Sequence, residues 1–363
     1  MAILSVIVGC LLVLGVLADV VNTLVTTTRS TGRYWLTVVF YNKSWRLVRA
    51  LGGRLSDEGK ERLYGLYAPL SVIGMLAVWV ALQVVGFGLI WWGLDGIDGA
   101  SGFADSLYYS GVVYFTLGFG EIVPTDAVPR AGALIEAFSG VLTTALVIGY
   151  LPALYGAYSQ REQKLLTLDD GTEERMTPTN LVMARCPNAD PREMDAFFAE
   201  WEAWAAQVME THTTFRMLVL FRSQHPGQNW ITALGVVMDA ALHIEMMEGG
   251  HGRSAYWFLR RGTRLLQLQT EGMDLEPKTS ELRAAFEEDG EARFFRPLYD
   301  SLTEHGFPMR PYDEAFAATQ ELREKWAPAM EQMIDALDAP RGFWGHAIGH
   351  RLDSANFLVP EDG

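Results

Sequence analysis

Cysteine, basic charge and strand patterning are what this chain has least of. Only two cysteines occur in 363 residues, Cys10 within an apolar run and Cys186 in a polar half. So placed, they build no disulfide framework, which excludes the small stapled folds of oxidising compartments. Lysine and arginine number 29 against 44 acidic residues, a net charge of −15. A chain that acidic is not expected to bind nucleic acid, which requires basic surface to displace counterions. No period-2 alternation runs long enough for a strand series, so an all-α fold is expected. Nor is there a Ser/His/Asp or Cys/His grouping, or a pair of carboxylates in a recognisable frame, to carry catalysis. An enzyme is not expected.

Long apolar runs are abundant, and nearly all precede residue 158, whereas nearly all the net charge follows it. Ala2 to Val25 is broken only by Ser5, Asp19, Asn22 and Thr23 and is long enough to span about 30 Å of hydrocarbon. It has no basic residue before Ile3 and no small-residue cleavage site ahead of a soluble extracellular domain. A retained N-terminal span, 1–28, is therefore expected rather than a signal peptide. Asp19, in its inner third, is either a functional intramembrane group or an interfacial carboxylate that caps or pairs with Arg29 or Arg33. Residues 29–62 interleave Arg29, Arg33, Lys43, Arg46, Arg49, Arg54, Lys60 and Arg62 with Trp35, Val38, Val39, Trp45, Leu47 and Val48. That spacing predicts an amphipathic helix lying in the cytoplasmic interface.

Leu63–Leu94 is the second span, with Tyr64 and Tyr67 at one end and Trp91 and Trp92 at the other as aromatic anchors. Asp95–Arg130 is acidic, and Ala131–Tyr158 is the third span, followed by Arg161 and Lys164. The basic excess in 29–62 and beyond 158 puts both inside, with the N-terminus and the 95–130 loop outside. Within that loop Phe103–Phe115 predicts a helix of about three turns, too short to cross the bilayer, with Asp105 as a favourable N-terminal charge. It leads into Thr116-Leu117-Gly118-Phe119-Gly120, then Glu121 and Pro124. Two glycines around one aromatic permit the φ > 0 needed to turn successive carbonyls toward one axis. Rings of such carbonyls, with a Thr116 hydroxyl ring below them, can replace the hydration shell of a cation.

In order and spacing, Leu66–Glu162 resembles the pore module of the potassium-channel pore-loop family, whose filter reads Thr-x-Gly-(Tyr or Phe)-Gly. The resemblance implies a homotetramer, each chain giving one quarter of the pore. It implies a filter of Thr116, Leu117, Gly118, Phe119 and Gly120, with K⁺ as the permeant ion and no cofactor. Phe119 replaces the commoner tyrosine and Leu117 the valine. Phe115 stands where many channels have a second threonine, and Glu121 where they have aspartate, which bears on K⁺ over Na⁺ discrimination. Glu121 either forms a carboxylate ring at the outer mouth or hydrogen-bonds the loop from behind. The third span is expected to line the inner cavity, with Gly140, Thr143, Thr144, Ile148 and Tyr150 as candidates. Gly149 and Pro152 mark a bend there, a gating hinge or a static kink.

Beyond the pore module, 63–160, Leu165–Cys186 carries turn signals and reads as part of a linker, 161–189, with at most short structure. From Asp190 the pattern is helical: Asp190–Glu210, Thr213–Phe221, Asn229–Met247, Ser254–Thr270, Ser280–His305 and Tyr312–Leu337, an all-α bundle in 190–363. It has no Gly-rich nucleotide fingerprint and no cyclic-nucleotide β-roll. Phe221-Arg222-Ser223-Gln224-His225 with Asn229-Trp230, and Gly149-Tyr150-Leu151-Pro152-Ala153-Leu154-Tyr155, resemble a group of bacterial channel-like membrane proteins with helical C-terminal regions. His346 and His350 lie one helical turn apart near Asp353, a spacing that can hold Zn²⁺ or Ni²⁺ but is also common by chance. Arg222 with His225, and Arg260, Arg261 and Arg264, are either an anion or acidic-partner site or ordinary ion pairs.

The expectation is a tetrameric, three-span, potassium-selective channel of a prokaryotic plasma membrane, gated or assembled by a cytoplasmic helical domain. No span carries an arginine ladder, so gating by voltage is not expected. The alternatives are a weakly selective or sodium-conducting channel, a membrane-anchored signalling or scaffold protein that retains the pore fold, and an enzyme in the C-terminal domain. A transporter is a fourth option, but transporters of this kind repeat the loop four times within one chain, and a single such loop occurs here.

Overall fold

The computed structural model describes residues 2–25, 36–94, 96–168, 177–223, 229–250, 252–273, 275 and 295–339. The chain forms two compact units. The first holds Met1–Ala157 with Thr213–Met217, and the second holds Tyr158–His212 with Leu218–Gly363. Among the described residues, three helices are long and apolar enough to cross a membrane: Ala2–Leu24, Glu58–Gly93 and Ala127–Leu168.

In the first unit, α1 (Ala2–Leu24) buries one helical face, Ser5, Gly9, Val13, Val16, Asp19 and Val20. Ile3, Leu4, Ile7, Leu11 and Leu14 stay exposed, as side chains facing lipid would. The buried face packs along α3 (Asp57–Gly93). A Cβ on Gly9 would lie 2.5 Å from the Gly86 carbonyl, so glycine is needed for this approach. Lying between them in sequence, α2 (Leu36–Gly52) turns Tyr41 and Trp45 inward. Trp45 packs on Tyr64 and Tyr67 at 5.1 and 5.2 Å between ring centroids, while Lys43, Arg46 and Arg49 stay exposed.

The expected pairing of Asp19 with Arg29 or Arg33 falls on residues outside those described. The buried Asp19 carboxylate accepts hydrogen bonds from Trp79 Nε1 (2.8 Å), Thr37 Oγ1 (2.6 Å) and the Thr37 backbone N–H (3.2 Å). It thus caps the first turn of α2 from another helix, where a carboxylate also favours the positive end of the helix dipole.

The loop region holds β1 (Ile97–Asp98), α4 (Phe103–Tyr114) and β2 (Val123–Pro124). The strands pair antiparallel, Ile97 with Pro124 and Asp98 with Val123, and tie the exit of the loop to its entry. Then α5 (Ala127–Leu165) runs continuously through Pro152 and past the boundary of the units, beyond the expected end at Tyr158.

The second unit contains the end of α5 with α6 (Pro178–Arg185), α7 (Asp195–Thr214), α8 (Trp230–Glu245) and α9 (Ser254–Gly272). It continues with α10 (Arg296–Glu304), α11 (Tyr312–Glu324) and α12 (Ala327–Leu337). All residues of α8 are buried except Ala233 and Asp239, so it forms the centre of the core with Trp201, Phe258 and Trp326 around it. A helix apolar on every side belongs in such a place.

Two expectations are corrected. The segment 161–189 is not merely a linker, because Thr177 caps α6, whose Leu181 and Val182 are fully buried in the core. Tyr312–Leu337 is not one helix either. It breaks between α11 and α12, where Pro328 in the first turn of α12 lacks the N–H that continuation would require. Most of the expected helix Ser280–His305 lies outside the described residues, and its described end is α10.

Candidate functional site: the loop after α4

Asp105 organises the start of α4. Its carboxylate accepts from the Ser101 backbone N–H (2.9 Å) and Ser101 Oγ (2.5 Å), satisfying a donor just before the helix. The helix ends in a Schellman motif: the Thr116 N–H donates to the Val113 carbonyl (3.0 Å) and the Leu117 N–H to the Val112 carbonyl (2.8 Å). That motif places the residue after the C-cap in the left-handed region, a position glycine usually takes. Here it is Thr116, at φ 55. A β-branched residue there costs about 1–3 kcal/mol.

Positive φ recurs at Gly118 (64) and Gly120 (88), but not at Leu117 or Phe119. From Thr116 to Gly120 the sign of φ therefore alternates residue by residue. Within the chain the side chains here project freely, with Phe115 57%, Leu117 56% and Phe119 67% exposed. Glu121 is held at the exit, where Tyr108 Oη on α4 donates to its carboxylate at 2.5 Å. The Glu121 carbonyl runs against Gly99, at φ 87, where a Cβ would lie only 2.7 Å away.

Behind α4 lies a buried polar layer. Ser110 Oγ is 2.8 Å from the Val84 carbonyl and 2.5 Å from Glu136 Oε1. Trp91 Nε1 donates to Glu136 Oε2 at 2.7 Å, and Glu136 has no exposed surface. One and two turns along α5, Ser139 Oγ donates to Gln83 Oε1 (2.8 Å) and Gln83 Nε2 donates to Thr143 Oγ1 (3.2 Å). Sequence reading passed over Glu136 and Gln83 because the spans around them are so apolar. The signal was present, since an ionisable or amide residue inside a span has to find partners.

The expected inner-helix residues separate. Gly140 abuts the Tyr114 carbonyl and marks close packing of α5 on α4. Thr143 and Tyr150 are buried, not cavity-lining: Thr143 bonds Gln83, and Tyr150 packs on Phe215 at 5.3 Å. Thr144, Ile148, Gly149 and Pro152 are exposed, and a Cβ on Gly149 would meet nothing within 4 Å. Pro152 leaves the Ile148 carbonyl without its helical donor.

In the second unit the arginines singled out by sequence make contacts within the unit. Arg222 Nη2 donates to the Leu337 and Asp338 carbonyls at the end of α12, at 3.1 and 2.5 Å. Arg261 pairs with Glu202 at 3.4 Å and Arg264 with Glu271 at 3.7 Å, while Arg260 lies over the Trp257 ring. Arg161, near the end of α5 and read from sequence only as a charge flanking the third span, is buried. Burial and the adjacent Arg161 charge hold the His212 imidazole well below its ordinary pKa, so this ring stays neutral. His225, His346, His350 and Asp353 lie outside the described residues.

Residues 74–155 match a protein-family model described as ion channel. The "uncharacterized membrane protein YdjJ" of Bacillus subtilis (strain 168) is 26% identical over 211 residues, covering 55% of this chain and 58% of that protein. The chain thus aligns with less than two thirds of that relative's length. No solved structure matches the chain significantly. The segment 74–155, with its two long helices, short α4 and exposed loop, is thus similar to the ion-channel family whose model it matches.

Proposed function

We propose that the protein is a homotetrameric cation channel, potassium-selective, conducting through the backbone of Thr116–Gly120. The observation that carries this reading is the alternation of φ at Thr116, Gly118 and Gly120, directly after the C-terminus of a short helix. Alternating handedness turns successive peptide groups the same way. Their N–H groups gather on one side and their carbonyls on the other, and the carbonyl side suits a bare cation. The negative end of α4 adds a favourable potential for that cation. Three spans with basic flanks at 29–62 and after 158 support an external N-terminus and a cytoplasmic helical unit in a prokaryotic plasma membrane. That unit gates or assembles the pore.

Purified protein in planar bilayers with K⁺ on one side and Na⁺ on the other tests the proposal. A reversal potential near the K⁺ equilibrium value is expected. Absence of any current from a correctly assembled tetramer would favour a scaffold that retains the pore fold.

Phe115, standing where many related channels have a threonine, favours a second reading, a weakly selective or sodium-conducting pore. A reversal potential near zero in the same experiment would select it. Glu121 sets a further prediction. Glu121→Gln is expected to lower unitary conductance more at low salt than at high, because the Debye length falls from about 30 Å at 0.01 M to about 3 Å at 1 M. Single-channel recording across that range checks it. A loss independent of salt, reproduced by Tyr108→Phe, would make the Tyr108–Glu121 bond the important feature instead.

A further inference from the structure

Ser110 presents a hydrogen-counting problem whose solution assigns a role to Glu136. The Ser110 hydroxyl oxygen lies 2.8 Å from the Val84 carbonyl and 2.5 Å from Glu136 Oε1. A serine hydroxyl has one hydrogen to donate. A carbonyl and a carboxylate oxygen are both acceptors, so an ionised Glu136 would leave one of these two contacts without a hydrogen. Trp91 Nε1 donates to the other carboxyl oxygen, at 2.7 Å. All three contacts are satisfied together in only one arrangement. Glu136 is the neutral acid, Oε1–H donates to Ser110 Oγ, Ser110 donates to Val84, and Oε2 accepts from Trp91. That arrangement also avoids a fully buried charge within a span.

We propose that Glu136, as a neutral carboxylic acid, is a positioning residue that locks α4 against α3 and α5 and so holds the filter loop in place. This rests on the channel reading above. The geometry supports a lock, because α5 meets α4 at two successive turns. Glu136 meets Ser110, and four residues on Gly140 meets the carbonyl of Tyr114, four residues after Ser110. On α3, Val84 and Trp91 lie seven residues apart, two turns on one face, and supply the remaining partners. Tyr109 packs edge-on against Trp91 at 5.6 Å and closes the layer. The last residue of α4, Tyr114, is held at the Gly140 contact, and Thr116 follows it by two. A slip at Ser110 therefore reaches the filter backbone through one helical turn.

The discriminating variants are Glu136→Gln and Glu136→Leu. Glutamine reproduces the neutral acid, its amide nitrogen donating to Ser110 and its oxygen accepting from Trp91. It is expected to keep unitary conductance and the K⁺/Na⁺ permeability ratio of the wild type. Leucine leaves the Trp91 N–H and Ser110 without their partner and is expected to lower the conducting population by about tenfold or more. If Glu136→Leu does not assemble, Ser110→Ala is read in its place, with the same expected loss. A glutamine variant as impaired as leucine would overturn the neutral acid. Leucine or Ser110→Ala variants that behave as wild type would overturn the lock.

Infrared spectroscopy of the purified protein at neutral pH judges the assignment apart from conduction. The carbonyl stretch of a protonated carboxyl is expected in the wild-type spectrum and absent from that of Glu136→Gln. Its absence from the wild type would overturn the assignment. Its presence in a protein that passes no ion would leave the neutral acid standing while the channel reading fell.

Discussion

Gly118→Ala is expected to abolish potassium current while leaving the assembled protein intact. Gly118 sits at φ 64, where an L side chain costs about 1–2 kcal/mol. Within the chain, a Cβ at this position would touch nothing within 4 Å. The penalty therefore falls on the backbone conformation of the loop and not on the packing of the fold. In a tetramer all four loops must adopt the conducting conformation together. The four biases add to about 4–8 kcal/mol, which lowers the conducting population by a factor of about a thousand or more. Bilayer recording alongside size-exclusion chromatography of the solubilised protein reads both halves of this expectation. Ordinary conductance would overturn the assignment of the filter, and loss of assembly would make Gly118 a folding residue instead.

Arg161→Ala should have the largest effect on the stability of the helical unit. The guanidinium donates to the Leu218 carbonyl (2.8 Å) and the Phe221 carbonyl (2.7 Å) and pairs with Glu162 at 2.8 Å. It lies between the rings of Tyr158 and Trp230, at 5.3 and 5.6 Å, with only 2% of its surface exposed. Truncation would strand a largely buried carboxylate and two carbonyls, and breaking one partner of a buried pair costs about 3–5 kcal/mol. Arg161→Lys is expected to recover only part of this, because one ammonium cannot reproduce a planar fork that reaches both carbonyls and Glu162. Guanidinium chloride unfolding of the solubilised chain, followed by tryptophan fluorescence, gives the measurement. An unchanged midpoint for Arg161→Ala would show that the cluster is not limiting for stability. A lysine variant equal to wild type would show that charge suffices without the fork.

What could be read early and what could not follow one physical division. The loop was legible because its constraints are local. Asp105 before an apolar helix, and Gly118 and Gly120 around Phe119, announce a helix start and positive φ without reference to any distant residue. The spans were legible for a similar reason, since length and hydropathy are properties of a segment alone. Pro328 carried the break between α11 and α12 in plain view, but the apolar periodicity on either side overrode it. By contrast, α6 has only eight residues, and Leu181 and Val182 become core because α8 packs over them. Nothing inside so short a segment announces that partner.

Polar groups inside the membrane unit show the division most sharply. Asp19 was visible as an ionisable residue in a span, yet its natural partners by sequence were the nearby arginines. Its described partners are Thr37 and Trp79, the latter 60 residues away. Glu136 likewise depends on Ser110 and Trp91, 26 and 45 residues away. Thr116 in the left-handed region also had no local herald, because the Schellman closure of α4 imposes it against the preference of a β-branched side chain. By itself, the sequence determined the three apolar spans, the short helix between two of them and the glycines that permit positive φ, because short-range sterics and segment hydropathy suffice for these. Tertiary structure alone decided which carboxyl caps which helix, which glycine marks a close approach and which hydroxyl meets a buried carboxyl group, because a buried polar group takes its partner from whichever helix packs against it.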